Sequence, residues 1–304
     1  MHLAIALFAV AITLTSCSRP VADSLPYATP STRQGGCSGH PAFVAGDDWE
    51  GDEASGTPEA SAAGKALQRQ IEEAYRRHST EALGRFFSDW AEASTPLSPV
   101  EVASLDPTER SAYAVFEAIY SPKDQSRLGV SEFGLDMYAK VPYLVAPGRM
   151  LVTCASDLRE SNDVESDWEV SGYVRITRFR PFVKASDARV LYLTPDYEQA
   201  LHAFLGGDMD PVGSGASIMN PAAPRDESAA RLAFLAPFIL IIPGHWGAYW
   251  HVTSHPHIGR IDFDEELAHA MVAYRVGYQG GDASLQRDPN DRWDLVSAGL
   301  RWIE

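Results

Sequence analysis

Three observations along the chain predict an α+β fold, with N-terminal helices followed by a mainly antiparallel sheet. Between residues 59 and 120 apolar side chains recur at three- and four-residue steps, the period of a helix with one buried face. From residue 143 they recur at two-residue steps, the period of a strand. Beyond residue 238 such strand segments follow one another with only brief turns between them, and strands that close in sequence pair as antiparallel neighbours.

The helical part has legible punctuation. Leu67, Ile71, Ala74 and Tyr75 share one helix face, and Leu83, Phe86, Phe87 and Trp90 share another after a break at His78-Ser79-Thr80. Ser98-Pro99-Val100-Glu101 supplies a cap, a proline at the first helical position and an early acid. Asp106-Pro107-Thr108-Glu109 repeats that signal ahead of Tyr113, Phe116, Ile119 and Tyr120, and Ser121-Pro122 closes the run.

Strands are expected at 143–145, 150–154, 172–179 and 190–193. Thr194-Pro195-Asp196-Tyr197 then caps a helix that carries Ala200, Leu201 and Phe204 on one face and stops at Gly206-Gly207. Residues 208–226 read as a long loop, and a helix follows over 227–235. The remaining strands are expected at 238–242, 248–254, 258–263, 268–279, 283–287 and 293–304, with Gly280-Gly281 read as a turn. Ala270, Val272, Tyr274, Val276 and Tyr278 make one apolar face, with Arg275 and Gln279 on the other.

Charge and the first sixty residues limit the function classes. A formal charge of −16 argues against a nucleic-acid partner, because neutralising phosphates needs a basic face. Residues 3–14 are apolar over a length that suits a signal-peptide core better than a membrane span. Leu14-Thr15-Ser16-Cys17 resembles the bacterial lipobox, although His2 stands where that pattern has Lys or Arg. The resemblance implies cleavage after residue 16, a lipidated Cys17 and, with Ser18 next, sorting to the outer membrane. Residues 17–58 are dense in Ser, Pro, Gly, Asp and Glu and read as the lipidated cysteine plus a flexible tether, with the α+β domain spanning 59–304 and a subdivision allowed near 140. With Cys17 lipidated, Cys37 and Cys154 remain as a candidate disulfide, Cys154 reading equally as a small buried residue.

Two further resemblances concern the folded part. Ala270-Met271-Val272-Ala273-Tyr274-Arg275-Val276-Gly277-Tyr278 with Gly280-Gly281, Trp293-Asp294-Leu295-Val296 and Trp302 is similar to the last strands of NTF2-like domains, whose curved, cone-shaped sheet encloses a pocket. Phe86-Phe87 with Trp90, Leu191 to Thr194 and the Trp-Ile-Glu end resemble uncharacterised secreted bacterial lipoproteins, which implies no activity.

Residues 244–257 hold four of the nine histidines. On an extended chain His251, His255 and His257 point to one side, where neutral imidazoles can ligate a metal ion with Asp262 or Asp264 completing the set. Pro256 interrupts the alternation, and ordinary sheet histidines are the blander reading. Trp246, Tyr249 and Trp250 in the same segment are candidates for lining a ligand cleft, or equally for filling the core. Gly213-Ser214-Gly215-Ala216-Ser217 fits neither a nucleophile elbow nor a phosphate loop, and Asp262 to Glu266 read as a solvated acidic turn. No catalytic constellation is legible. The expected function is a membrane-anchored, non-catalytic binding or structural protein of the cell envelope with a protein or envelope ligand; the alternative is a metal-assisted hydrolase using the histidines of 245–257.

Overall fold

The computed structural model describes residues 36–46, 61–122, 124–129, 138, 140–155, 158, 169–185, 187–206, 225–243, 250–277 and 279–303. These belong to one compact unit, Gln34–Glu304. The expected signal peptide, Cys17, the rest of the tether and nearly all of the 208–226 loop lie outside the described residues.

The helices form where the caps announce them. Helix α1 (Ala62–Arg76) starts with the Ser61 side chain accepting from Gly64 N, and α2 (Thr80–Ala93) with Ser79 accepting from Ala82 N. Between them His78 adopts φ 50°, the left-handed conformation that turns the chain. The short α3 (Pro99–Ala103) has a complete capping box between Ser98 and Glu101, and α4 (Pro107–Ile119) is capped by Asp106. Helix α5 (Pro195–Leu205) ends on Gly206 at φ 77°, and α6 (Arg225–Leu235) follows. Thr194 occupies the N-cap position of α5 without a side-chain bond to the helix; Ser61 docks there instead, onto Asp196 and Gln199.

Strands β1 (Val44–Ala45), β3 (Met150–Ala155), β4 (Val170–Ile176), β8 (His257–Asp264), β9 (His269–Val276), β10 (Gln279–Arg287) and β11 (Trp293–Ile303) form one sheet in the order β1-β4-β3-β8-β9-β10-β11. All its pairings are antiparallel except β3 with β8. The sheet is open, with β1 and β11 at its edges, so the expected α+β class with a mainly antiparallel sheet holds. A separate parallel pair joins β2 (Tyr143–Pro147) to β5 (Arg189–Leu193), and a short antiparallel pair joins β6 (Ile242–Pro243) to β7 (Trp250–His251).

Two cores meet at the β2/β5 pair. Val145, Leu191 and Leu193 pack with Ile71, Phe87, Trp90 and Phe204 from α1, α2 and α5, whereas Ala146 and Tyr192 pack with the sheet and α4. A two-stranded ribbon buried on both faces must be apolar throughout, as the buried run Leu144 to Pro147 is. Among the described residues no helix is long and apolar enough to cross a membrane.

Three expectations need correction. The reading of 17–58 as tether fails over residues 37–45: Cys37 is fully buried, β1 pairs with β4, and Cys37 is disulfide-bonded to Cys154. Composition suggested a chain without a core of its own, but a covalent bond and an edge strand anchor it. Gly280-Gly281 is not a turn; the chain reverses at Gly277, φ 59°, and both glycines lie inside β10. A Cβ at Gly280 would collide with the Trp302 indole, and one at Gly281 with the Gly299 backbone, so close approach rather than turning selects them. The strands expected at 238–242 and 248–254 shrink to β6 and β7, two residues each among those described.

Candidate ligand-binding cleft

On the sheet face turned away from the α4 core, register alone assembles a polar row. Arg175 on β4 opposes Leu151 on β3, Leu151 opposes Arg260 on β8, Arg260 opposes Ala273 on β9, and Ala273 opposes Asp282 on β10. The neighbouring row holds His257, its cross-strand partner Arg275, then Gly280 and Trp302. Period-two alternation sends Val174, Ile176, Ile261, Val272 and Val276 to the other side, into the core.

These rows floor a cleft of about 1020 Å³, a volume suited to a small molecule. The facing wall comes from α5, through Glu198 and His202, and from β7, through Trp250 and His251. Four arginines line it, at 149, 175, 260 and 275, against two carboxylates, Glu198 and Asp282. Arg149 bonds Glu198 at 3.0 Å, and Arg260 lies 2.9 Å from the buried Asp262. The Arg275 guanidinium sits 4.9 Å from the centroid of the Trp302 ring.

The segment carrying the histidines is tied down at each step. Ser254 donates its amide to Val145 O at 2.7 Å and accepts from Val145 N on its hydroxyl at 3.0 Å, which docks it onto β2; Tyr120 Oη donates to Ser254 O. His255 donates its amide to Tyr138 Oη at 2.7 Å, and the His255–Pro256 peptide is cis. Thr253 Oγ1 lies 2.7 Å from His257 Nδ1, which orients the imidazole beside Arg275.

The imidazoles are neutral at pH 7. Burial, then Arg275 and His202, pushes His251 down to about 4. Burial and the flanking His251, His257 and Arg275 push His255 to about 3, and burial with His251 and Arg275 pushes His257 to about 4. His202 is lowered by burial.

Bonding fixes which ring nitrogens carry protons. Gly277 N donates to His255 Nδ1 at 3.2 Å, so a neutral His255 holds its proton on Nε2, a buried donor that meets no hydrogen-bonding partner among the described residues. Arg275, which can only donate, stands 3.5 Å from His251 Nε2 and favours the proton on Nδ1. His255 therefore presents a donor rather than the lone pair that a metal requires.

Trp250, His251 and His257 all line the cleft, whereas His255 is fully buried beside them, its ring centroid 6.3 Å from that of His251. Trp246, Tyr249 and His245 lie outside the described residues. Asp262 accepts from Thr153, and Asp264 accepts from Ala268 N, His269 N and His269 Nδ1, so neither acid is turned to the histidines. Among the described residues no group of three or more His, Cys, Asp or Glu is placed to hold a metal ion. Arg149, Arg260 and His202 escaped the sequence reading, Arg275 is legible there only on the wetter face of its strand and Trp302 only in the resemblance to NTF2-like strands. The basic and aromatic strand 173–180, which holds Arg175, reads from sequence either as a seat for an anionic partner or as a sheet strand with one wet face, and nothing local announces that β4, β8 and β9 bring three arginines onto one surface. Compared with known proteins, the chain matches no family model, no curated protein and no solved structure, so the cleft is read from its own residues.

Proposed function

We propose that this is a non-catalytic binding protein of the bacterial cell envelope, anchored to the outer membrane by lipid on Cys17, with the cleft above the sheet as its ligand seat. The observation that carries the reading is the cleft itself: a small-molecule volume with an apolar lining and convergent polar groups in one compact unit. The Cys37–Cys154 bond supports export, since such bonds persist in oxidising compartments.

Catalysis has less support. Thr253 and His257 form a hydroxyl–imidazole pair, but a base pushed down to about 4 takes a proton poorly at neutral pH, and Thr253 is buried. The metal-assisted hydrolase alternative, built on the histidines of 245–257, would need His255 to exchange its tautomer and give up the bond from Gly277. Membrane fractionation of cells making the full chain tests the anchor. The wild type should sediment with membranes and carry a diacylglycerol mass, and Cys17→Ser should release it; an unlipidated, membrane-free wild type overturns the anchor.

A further inference from the structure

We propose that the cleft binds a neutral saccharide, its hydroxyls bonded by the paired ionic groups and imidazoles of the floor and wall, and a sugar ring laid against Trp302 with Trp250 across from it. This deepens the proposed function and rests on the cleft being the ligand seat.

Three observations converge on that chemistry. The first is that the ionic groups of the cleft already have partners. Arg149 is bonded to Glu198 and Arg260 to Asp262, and Asp282 lies 3.5 Å from Arg301. Arg175 and Arg275 stand 5.2 and 4.9 Å from the ring centroids of Tyr173 and Trp302 and make further interactions of their own. An ionic ligand would have to displace such pairings, whereas a hydroxyl adds to them, because a guanidinium has more donors and a carboxylate more acceptor sites than one partner uses. The second is the mix of donors and acceptors. His202, His251 and His257 line the cleft as neutral imidazoles, and a neutral imidazole has one nitrogen that donates and one that accepts. Glu198 and Asp282 accept, and the arginines donate. A hydroxyl does both, so a polyhydroxylated ligand meets both halves of this lining, where a carboxylate meets only the donors and an ammonium only the acceptors. The third is the exposed aromatic surface. Trp302 is 39% exposed at the sheet edge even with Arg275 resting on it, and Trp250 is half-buried on the facing wall. A pyranose ring has an apolar face of C–H bonds that packs on an indole while its hydroxyls reach polar partners. A purely apolar molecule would cover the indoles and strip water from the ionic pairs beside them without replacing it.

The test is isothermal titration of the disulfide-intact protein at pH 7.5 with two neutral trisaccharides, cellotriose and fully N-acetylated chitotriose, and two controls, the anionic trigalacturonate and the apolar 1-naphthalenemethanol. The inference expects at least one neutral trisaccharide to bind at least tenfold tighter than either control. It also expects Trp302→Ala and Asp282→Ala each to weaken that saccharide at least tenfold, with the two variants' thermal midpoints showing that they remain folded. No binding of either neutral trisaccharide overturns the inference, and trigalacturonate bound as tightly as the neutral sugars overturns the neutrality of the ligand. Tighter binding of the naphthalene alcohol overturns the inference and leaves the cleft as a ligand seat, and unaltered saccharide binding in both folded variants overturns the assignment to this cleft. The seat itself is judged separately, by whether periplasm-made protein carries a small molecule of its own.

Discussion

Gly280 and Trp302 face each other across β10 and β11, and the indole fills the space that a side chain at position 280 would need. That exchange of a Cβ for a ring sets the position of the cleft's outer wall. The Trp302 ring, once seated on bare backbone, is the surface against which the Arg275 guanidinium rests.

Gly280→Ala should therefore act on the cleft as well as on stability. Displacing Trp302 costs about 1–3 kcal/mol of overpacking strain. Urea denaturation reads that loss. A variant with wild-type stability would mean that the indole moves aside freely.

The fold was more legible than the site because helix and strand periods are local, whereas the cleft is made by register. Ser98 with Glu101, Asp106 with Pro107, and the Phe86-Phe87-Trp90 face could each be read within one turn of helix. Arg175 and Arg275 stand a hundred residues apart, and only the β4-β3-β8-β9 order places them on one surface. The histidine segment was legible as unusual, but its chemistry depends on Arg275 near the end of β9 and on Gly277 in the turn just beyond it. Gly280-Gly281 misled because a turn glycine and a close-approach glycine are identical in sequence.

Acid should weaken the fold from below about pH 6.5. Above the unfolded-state value of about 6.5 the histidines are neutral in both states; below it the unfolded chain takes protons that the folded chain refuses, so stability falls with pH. The loss continues to about 4 for His251 and His257 and to about 3 for His255. The groups facing them, Arg275 on β9 and His202 on α5, are cationic or neutral and give no relief, although the raised Asp262 offsets part of the loss by accepting its proton early. At about 1.4 kcal/mol per pKa unit the buried His255 alone accounts for several kcal/mol. His255→Asn, which keeps an acceptor for Gly277 N, should flatten the dependence of the urea midpoint between pH 7.5 and 4.5. Equal midpoints at both pH values in the wild type would contradict the assignment.

The Cys37–Cys154 bond closes a separation of 117 residues and holds the 37–45 segment onto the sheet. Replacing both cysteines by serine should cost about 2–5 kcal/mol. Urea denaturation of the double variant at pH 7.5 measures this, and proteolysis should then cut near β1 first. An unchanged midpoint would show that the segment is held by its other contacts alone.

Trp90 donates its indole N–H to Tyr192 O at 3.1 Å and stacks on Tyr197 with centroids 4.1 Å apart. Trp90→Phe leaves a buried carbonyl short of a donor and should destabilise by about 1–3 kcal/mol, read by urea denaturation. Wild-type stability in the variant would mean that the indole N–H adds nothing to the fold.

The most direct test of the account is native mass spectrometry of the full chain made in an oxidising periplasm. The account predicts a disulfide-intact, lipidated mass with a small molecule bound and no metal ion. One metal ion per chain, lost on changing His255 and His257 to Ala, with no organic ligand, would contradict it and restore the hydrolase reading.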